Sequence, residues 1–493
     1  RLVSEGCHFT NACSPNPVCV PTRHNLITGL PARYHGFASN TTDPMDHRIP
    51  TLPRLLSDHG YDTRAIGKMH FQPPRRHHGF ARMELMEETP ETREEDDYLM
   101  YLERVGYGHI RNMHGVRNLL YMVPQRAIVP EEHHGSTWVA DRSIDYIQRH
   151  AGRQPFFLWS SWIQPHPPWN VSDAYANLYR DADLPEPLTS ETPINMFANW
   201  SRSNCDIPEG KEPEYVRRIR ELYAAAVTQV DHNIGRILAA LEETGEMDNT
   251  LIFFISDHGE MLGDHGCWQK SKPYDSCCKV PFVMRYPEKV KAGTSRSEFV
   301  SVNDVLPTIL DVAGIAYPGP ASLPGGSLFR DDRDRSRHYM ETYRGQRRWV
   351  SLRDERYKYS YYYAGGEEEL FDMENDPSES VNLLHGTPTD EARTARDRLR
   401  AELIEYERTW GLPDCIKEDD FVSYPKVPDP GRITGRNKQF PCFPANAMRQ
   451  SEREAFNDFG DEVTAAAKDE PLVKLHELDL YHWEKNGAPG ELI

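Results

Sequence analysis

The stretch Cys19-Val20-Pro21-Thr22-Arg23-His24-Asn25-Leu26-Ile27-Thr28-Gly29 decides how this chain is interpreted. A proline, a hydroxyl residue and an arginine follow Cys19 at fixed offsets, a framing that core packing does not require. A free cysteine more often only fills a core. The nine cysteines of the chain are scattered without a CxxC pair, so neither a disulfide framework nor a zinc knuckle is indicated. The framing of Cys19 therefore points to chemistry at this residue.

The composition limits the classes of function. A chain of 493 residues should hold more than one packing unit. Its net charge of −19 argues against binding of nucleic acid, which needs basic stripes, but not against a small anionic substrate held by a local basic cluster. No apolar run approaches the roughly 18 residues needed to cross a bilayer, so we expect no membrane partner.

The first two-thirds of the chain alternates short apolar runs with helical stretches, which predicts a sheet covered by helices. Three runs are predicted to be strands that are followed by polar residues. Tyr61 to Ile66 leads into Gly67-Lys68-Met69-His70, Phe156 to Ile163 leads into Pro165-His166, and Leu251 to Ile255 leads into Asp257-His258. Open α/β sheets place their sites at the carboxyl ends of strands, so these polar residues should meet.

The pattern changes from about Arg330. Trp349 to Leu352 and Tyr357 to Tyr363 predict an antiparallel hairpin, and Asp390 to Arg408 predicts an amphipathic helix. We therefore expect a catalytic α/β domain over 1–329 and a small α+β subdomain over 330–410. Residues 411–493 are rich in Pro, Asp and Lys, and we interpret them as an extension that wraps the surface or contacts a partner in a homo-oligomer.

Five elements resemble the type I sulfatases of the alkaline-phosphatase-like superfamily, in family order over about residues 1–410. They are the Cys19 stretch, Gly67-Lys68-Met69-His70, Gln164-Pro165-His166-Pro167-Pro168-Trp169, Ser256-Asp257-His258-Gly259-Glu260 and Lys270 four residues before Tyr274. The fold that the resemblance implies is α/β, with a large mixed, mostly parallel sheet sandwiched by helices. A smaller C-terminal antiparallel-sheet subdomain completes it.

The resemblance also implies a nucleophile. In these sulfatases a separate formylglycine-generating enzyme oxidises the motif cysteine, here Cys19, to formylglycine, whose hydrate attacks the sulfate ester. Arg23 lies one helical turn on and can hydrogen-bond the diol. Lys68 would steady the diol or a sulfate oxygen. His70 would take the proton when the hemiacetal collapses and sulfate leaves.

Other residues would serve the substrate. His166, on a loop made rigid by prolines, is the candidate general acid for the leaving alcohol. Lys270 resembles the lysine that grips a sulfate oxygen, with Lys272 as a less well-placed substitute. Trp169 and His166 would contact the substrate, for which a sulfated saccharide or an aryl sulfate is expected.

A divalent metal is implied at Asp257 and His258 together with the residue derived from Cys19. Calcium is the first expectation, with manganese or magnesium as alternatives. Many family members have an amide at the position of His258, and the imidazole found here makes manganese or another transition metal more plausible. The acidic pair near the family's N-terminus has no counterpart in this sequence, and Asp43 and Asp46 do not follow a strand. We therefore expect the sequence to start after the family's first strand, which predicts a half-built metal site and leaves a cytoplasmic, periplasmic or secreted location open.

Two alternatives stay open on the residues. A phosphonate monoester or phosphodiester hydrolase uses similar clamps, and the Asp257-His258 pair fits it. A catalytically silent binding homologue would keep the fold while Cys19 stays unmodified. The joint presence of Lys68, His70, His166 and Lys270 argues against the silent homologue.

Overall fold

A computed structural model describes residues 1–426, except 42, 91, 109, 111–112, 116–124, 196–211, 320–321 and 332, together with residues 473–474. The strands in chain order are β1 (Cys7–Cys13), β2 (Asp62–Gly67), β3 (Arg82–Leu85), β4 (Gln125–Arg126), β5 (Phe156–Ser161), β6 (Asn170–Val171), β7 (Ile252–Ile255), β8 (Phe282–Arg285), β9 (Thr294–Ser301), β10 (His338–Thr342), β11 (Trp349–Arg353), β12 (Tyr357–Tyr362), β13 (Glu367–Asp372), β14 (Ile416–Lys417), β15 (Asp420–Phe421) and β16 (Val473–Lys474). The helices are α1 (Leu2–Glu5), α2 (Cys19–Thr28), α3 (Ala32–His35), α4 (Leu52–Asp58), α5 (Asp97–Arg104), α6 (Gly135–His150), α7 (Asp173–Ala176), α8 (Glu212–Glu243), α9 (Asp275–Cys278), α10 (Val305–Ala313) and α11 (Asp390–Trp410).

Seven strands of the N-terminal part form two sheets. One has the order β7-β8-β1-β9, and the other has the order β3-β2-β5. The ladders β1–β9, β2–β3 and β2–β5 are parallel, whereas β1–β8 and β7–β8 are antiparallel. The predicted mixed, mostly parallel α/β arrangement is confirmed. The predicted large sheet is divided into two hydrogen-bonded sheets, with β7 at the edge of one and β5 at the edge of the other.

Helices cover both faces of the sheet that contains β5, because successive side chains of a strand point to opposite faces. Phe156 and Leu158 pack on the cluster that includes Ile147 of α6 and Leu241 of α8. Phe157, between them, packs on the cluster formed by leucines of α4 and α10. The sandwich predicted from the alternating pattern is therefore present.

The C-terminal sheet is antiparallel throughout, in the order β10-β11-β12-β13. The predicted hairpin corresponds to β11 and β12, and the predicted helix corresponds to α11. Leu399 and Leu403 of α11 pack on Val350 and Tyr359 of the sheet. The boundary between the two predicted domains stays a prediction, as does the role of 411–493, of which 427–472 and 475–493 lie outside the described residues.

A buried ionic group holds this sheet to α11. The Arg348 guanidinium is within 2.7 Å of a Glu341 carboxylate oxygen and 2.8 Å of a Glu407 oxygen, and its side chain is fully buried.

In the part of the chain that the structure describes, no helix combines the length and the apolar character needed to cross a membrane.

Candidate active site

Cys19 is the first residue of α2 and is fully buried. The helix ends at Gly29, whose φ of +69° is the left-handed conformation that glycine adopts without strain. The Cys19 Sγ lies 3.2 Å from His258 Nε2 and 3.7 Å from Lys68 Nζ. The sulfur marks the place of an oxygen that the same Cβ would carry after oxidation, so these contacts report the surroundings of that oxygen.

The ends of β2 and β5 position the next part of the site. The two strands are parallel and in register from Asp62–Phe156 to Gly67–Ser161, so both end at the same edge. Lys68 follows β2, and its backbone N–H donates to the Ser161 carbonyl at 3.0 Å. A Cβ on Gly67 would come within 1.9 Å of that carbonyl oxygen. Glycine is therefore required here for Lys68 to enter the site.

Arg23 braces the site. Its Nε donates to Asp257 Oδ2 at 3.0 Å, and its Nη1 donates to the Lys68 carbonyl at 2.6 Å and to Ser161 Oγ at 3.0 Å. The spacing of one helical turn does place Arg23 beside the site, as predicted. Its described partners are Asp257 and two strand ends, however, and the predicted hydrogen bond to the nucleophile is not among them.

His166 and Lys270 lie in contact with each other. The His166 Nδ1 donates to the Pro167 carbonyl at 2.7 Å, which leaves Nε2 as the acceptor that the Lys270 ammonium contacts. Burial lowers the pKa of His166 to about 3; the Glu88 carboxylate opposes this shift, and the Lys270 and Lys68 charges add to it. In the substrate-free site His166 is therefore neutral, with Nε2 turned towards Lys270 Nζ.

The charges around Cys19 act on its thiol. Burial raises its pKa, but Lys270, Lys68 and His258 outweigh burial and bring the pKa well below the usual value. Burial also raises the pKa of Asp257, yet His258 and Arg23 lower it to about 2. For His258, burial lowers the pKa but the charges of Asp257 and Cys19 raise it above the usual value. The site is thus built to stabilise negative charge at the position of Cys19.

Glu88 is a site residue that sequence reasoning missed. It follows β3, its side chain is 4% exposed, and its Oε1 contacts the Lys68 ammonium and lies 3.6 Å from His166 Nε2. No motif marks the run Met86-Glu87-Glu88. The available signal was positional, because β3 pairs in parallel with β2 and so ends at the same edge as Lys68.

His70 joins the same group through a strained loop. Its φ is +54°, and the backbone N–H groups of Met69 and His70 donate to Glu87 Oε1 at 2.9 Å and 2.8 Å. Ligand atoms of Cys19, His70 and Glu88 lie within 4.8 Å of one another. The structure therefore brings all six predicted catalytic residues together. They are Cys19, Arg23, Lys68, His70, His166 and Lys270.

A divalent cation fits one group of side chains better than the other. Ligand atoms of Cys19, Asp257 and His258 also lie within 4.8 Å of one another, and they offer a carboxylate and an imidazole. Glu88 Oε1 of the other group is in direct contact with the Lys68 ammonium, whereas Asp257 gives only Oδ2 to Arg23 and keeps Oδ1 on the side of His258. The predicted ligands Asp257 and His258 thus remain the better donors.

Two other predicted residues, Lys272 and Trp169, lie next to the site. Lys272 donates to the carbonyls of Trp268 and Lys270 at 2.7 Å and 3.0 Å, so it holds the loop that presents Lys270. Trp169 is fully buried and its ring lies 6.5 Å from that of Trp268. It supports this loop in the described structure, and its contact with a substrate stays a prediction.

A cavity of about 680 Å³ lies beside the Lys270 loop. Residues 187–194 line it together with Gly263, His265 and Gly266. The side chains that surround Cys19 are not among these lining residues. Sequence reasoning did not single out 187–194, because the run carries no recognisable motif.

Comparisons with known proteins agree with this geometry. The sequence profile of the family described as Sulfatase matches residues 1–315. The profile described as N-sulphoglucosamine sulphohydrolase, C-terminal, matches residues 263–409. Together these matches extend over both the Cys19 site and the C-terminal antiparallel sheet.

Three similar proteins illustrate the range of activities named among the similar sequences and structures. An arylsulfatase of Clostridium perfringens is 31% identical over 447 residues, which cover 82% of this chain and 87% of the relative. An N-acetylglucosamine-6-O-sulfatase of Bacteroides thetaiotaomicron is 25% identical, with coverage of 78% and 77%. The solved phosphonate monoester hydrolase of Silicibacter pomeroyi is similar in fold, with a TM-score of 0.69, 22% identity and coverage of 86% and 94%.

Proposed function

The chain belongs to the sulfatase family of the alkaline-phosphatase-like superfamily, and from this premise we propose that it hydrolyses sulfate monoesters through a formylglycine formed at Cys19. The observation that carries the proposal is the set of contacts at the Cys19 Sγ. Lys68 and His258 lie within 3.7 Å of this atom. The sulfur also sits in the first turn of α2, where helix N–H groups favour negative charge.

The hydrated aldehyde would supply one hydroxyl to attack sulfur and a second whose deprotonation releases sulfate. The residues of the chain orient that diol. Lys68 Nζ, held between Glu88 and Cys19, would donate to one of its oxygens. His70, whose ligand nitrogen lies within 4.8 Å of the Cys19 sulfur, would accept the proton of the second hydroxyl.

Proton delivery to the leaving alcohol falls to His166 and Lys270. Nδ1 of His166 is fixed as a donor to Pro167, so Nε2 is the atom that faces the reacting group. The negative charge of a bound sulfate ester would favour the imidazolium form of His166, which would take up a proton from water at Nε2. His166 would then act as the general acid, and the Lys270 ammonium, which keeps its own proton, would balance the charge of the sulfate oxygens.

Asp257 and His258 would hold a divalent cation together with the formylglycine oxygen. Bound there, the cation would polarise the sulfate and the diol as a Lewis acid. Calcium is the first expectation from the family. The imidazole of His258 favours manganese or another transition metal over an all-oxygen site.

The proposed substrates are sulfated saccharides or aryl sulfates. Support comes from the arylsulfatase relative and from the N-acetylglucosamine-6-O-sulfatase relative. Maturation would require a formylglycine-generating enzyme in the host, because the chain itself offers only the motif around Cys19.

The test is turnover of 4-nitrophenyl sulfate by protein produced together with a formylglycine-generating enzyme. Mass analysis of the Cys19 peptide should show loss of the sulfur, and the Cys19→Ala variant should be inactive although folded. Cys277→Ala is the matched control, because this thiol is equally buried but lies outside the Cys19 contacts. Turnover that persists in Cys19→Ala would refute the mechanism.

A phosphonate monoester or phosphodiester hydrolase is the second candidate. It is favoured by the Asp257-His258 pair and by the fold similarity to a phosphonate monoester hydrolase. The ratio of kcat/KM for 4-nitrophenyl sulfate to that for 4-nitrophenyl phenylphosphonate separates the two. A ratio below one would favour this second candidate.

A further inference from the structure

Glu88 places a buried carboxylate beside the reacting group, in addition to the carboxylate of Asp257, which pairs with Arg23. Its residue exposure is 7%, and one of its oxygens lies within 4.8 Å of the Cys19 sulfur. The adjacent Glu87 has a different task, since its Oε1 accepts the backbone N–H groups of Met69 and His70. Of the two neighbouring glutamates, Glu88 is the one whose charge acts on Cys19 and its surroundings.

The charge of Glu88 is matched to that of Lys68. The two side chains are in contact and are 4% and 2% exposed, so water screens their charges little. Together they contribute no net charge at the site. Loss of the carboxylate would therefore leave the Lys68 ammonium as an additional uncompensated positive charge close to the substrate.

Substrates of this chemistry differ mainly in charge at the group that reacts. A sulfate monoester, a phosphodiester and a phosphonate monoester each carry one negative charge. A phosphate monoester carries nearly two above its second pKa of about 6. A second charge about 7 Å from the Glu88 carboxylate, at an effective dielectric constant of about 20, is disfavoured by roughly 50-fold.

We propose that Glu88 is a specificity-determining residue, which makes the site select singly charged esters over doubly charged phosphate monoesters. This inference rests on the proposed function, since it assumes that the ester reacts beside Cys19. Glu88 takes no part in the chemical steps of ester hydrolysis. Its carboxylate sets the net charge of the surroundings in which the ester reacts. Lys68 and His166, which contact it, remain the residues that face the ester.

The experiment compares 4-nitrophenyl sulfate, 4-nitrophenyl phosphate and bis(4-nitrophenyl) phosphate in the formylglycine-containing enzyme. In Glu88→Gln, the kcat/KM ratio of phosphate monoester to sulfate should rise about 50-fold. The ratio of phosphodiester to sulfate should change less than about threefold, because both substrates carry one charge. The diester thus separates an effect of charge from a general preference for phosphorus.

Two further variants serve as controls. Glu88→Asp keeps the charge, and its ratios should stay close to those of the wild type. Glu84→Gln removes the same charge from the same region, where Glu84 pairs with Arg64 at 3.1 Å. Its ratios should also match the wild type, since Glu84 has no contact with Lys68 or Cys19 among the described interactions.

The wild type alone provides a test that does not depend on folding of a variant. The phosphate-to-sulfate ratio should fall by about 50-fold in total as the pH rises through the second pKa of the phosphate, near 6. Any titration of the enzyme that affects both substrates equally cancels in the ratio. A ratio that stays flat from pH 5 to about pH 8 overturns the inference.

The outcomes separate the two proposals. An enzyme active on aryl sulfate whose Glu88→Gln ratio is unchanged overturns only the role of Glu88. A converted wild type that hydrolyses none of the three esters overturns the proposed function, and the inference falls with it.

Discussion

Arg23 should matter first as the counter-ion of Asp257. Removal of one partner from a buried ion pair leaves an uncompensated charge, which costs about 3–5 kcal/mol. The side chains of Arg23 and Asp257 are 6% and 16% exposed, and Arg23 donates three hydrogen bonds. At about 1.5 kcal/mol or more for each bond from a charged donor, the bonds alone give a similar figure. We expect Arg23→Gln to lower the free energy of unfolding by about 3–5 kcal/mol.

A double-mutant cycle tests whether Asp257 causes this loss. The variant Arg23→Gln/Asp257→Asn removes both charges, and it should regain about 2–3 kcal/mol relative to the sum of the single variants. The assay is urea unfolding of the metal-free protein, followed in parallel by turnover of 4-nitrophenyl sulfate by converted protein. Additive losses would show that Arg23 and Asp257 do not stabilise each other.

Arg335 is the matched control for the first prediction. It pairs with Asp304 at 2.9 Å and, like Arg23, donates three hydrogen bonds, the other two to backbone carbonyls. Arg335→Gln should lose comparable stability and keep turnover within about threefold of the wild type, whereas Arg23→Gln should lose about 100-fold or more. Equal activities in the two variants would refute the placement of Arg23 in the site.

Three further predictions concern the metal, acid stability and the C-terminal sheet. His258→Asn replaces an imidazole nitrogen by an amide oxygen, so activation of the metal-depleted enzyme by Ca²⁺ relative to Mn²⁺ should increase; an unchanged ratio would argue against His258 as a ligand. Burial lowers the pKa of His338 to about 3. As the pH drops from about 6.5 towards 3, this histidine is protonated in the unfolded state but not in the folded state, so the free energy of unfolding falls. In urea unfolding, His338→Asn should reduce that loss between pH 6.5 and 5 by about 2 kcal/mol. Arg348→Met should lower the free energy of unfolding by about 3–5 kcal/mol, because it leaves the buried carboxylates of Glu341 and Glu407 without their counter-ion. The control Arg337→Met removes a half-exposed pair with Glu402 and should lower it by less than about 1 kcal/mol.

Strand ends were predictable because their signal is local. The runs before His166 and Asp257 are apolar, the run before Lys68 follows the helix breaker Gly60, and the structure places β5, β7 and β2 in them. The motif spacing likewise brought Arg23 to the same side of α2 as Cys19. These features depend on residues that are neighbours along the chain.

Contacts between distant segments were not predictable in the same way. Arg23 donates to Asp257, 234 positions away, a partner that the motif around Cys19 does not indicate, while its predicted hydrogen bond to the diol stays a prediction. Glu88 escaped notice because nothing in its own neighbourhood distinguishes it from the other acidic residues of an acidic chain. Its position follows from the parallel pairing of β3 with β2, and the sequence pattern did not predict that pairing.

Two cations of the site are paired with carboxylates before any substrate arrives. Arg23 contacts Asp257 and Lys68 contacts Glu88, whereas Lys270 contacts the neutral His166. Buried cations without such partners would destabilise the fold, so the carboxylates fix the cations in place and spare their reorganisation during the reaction.

The same pairing weakens the pull of the site on an anion. A bound ester must draw Lys68 and Lys270 towards itself against partners that already contact them. Stability of the empty site and affinity for anions should therefore oppose each other. Neutralising Glu88 should raise the affinity for inorganic sulfate or phosphate while it lowers the free energy of unfolding, and that joint change distinguishes a carboxylate that tunes the site from one that only packs against it.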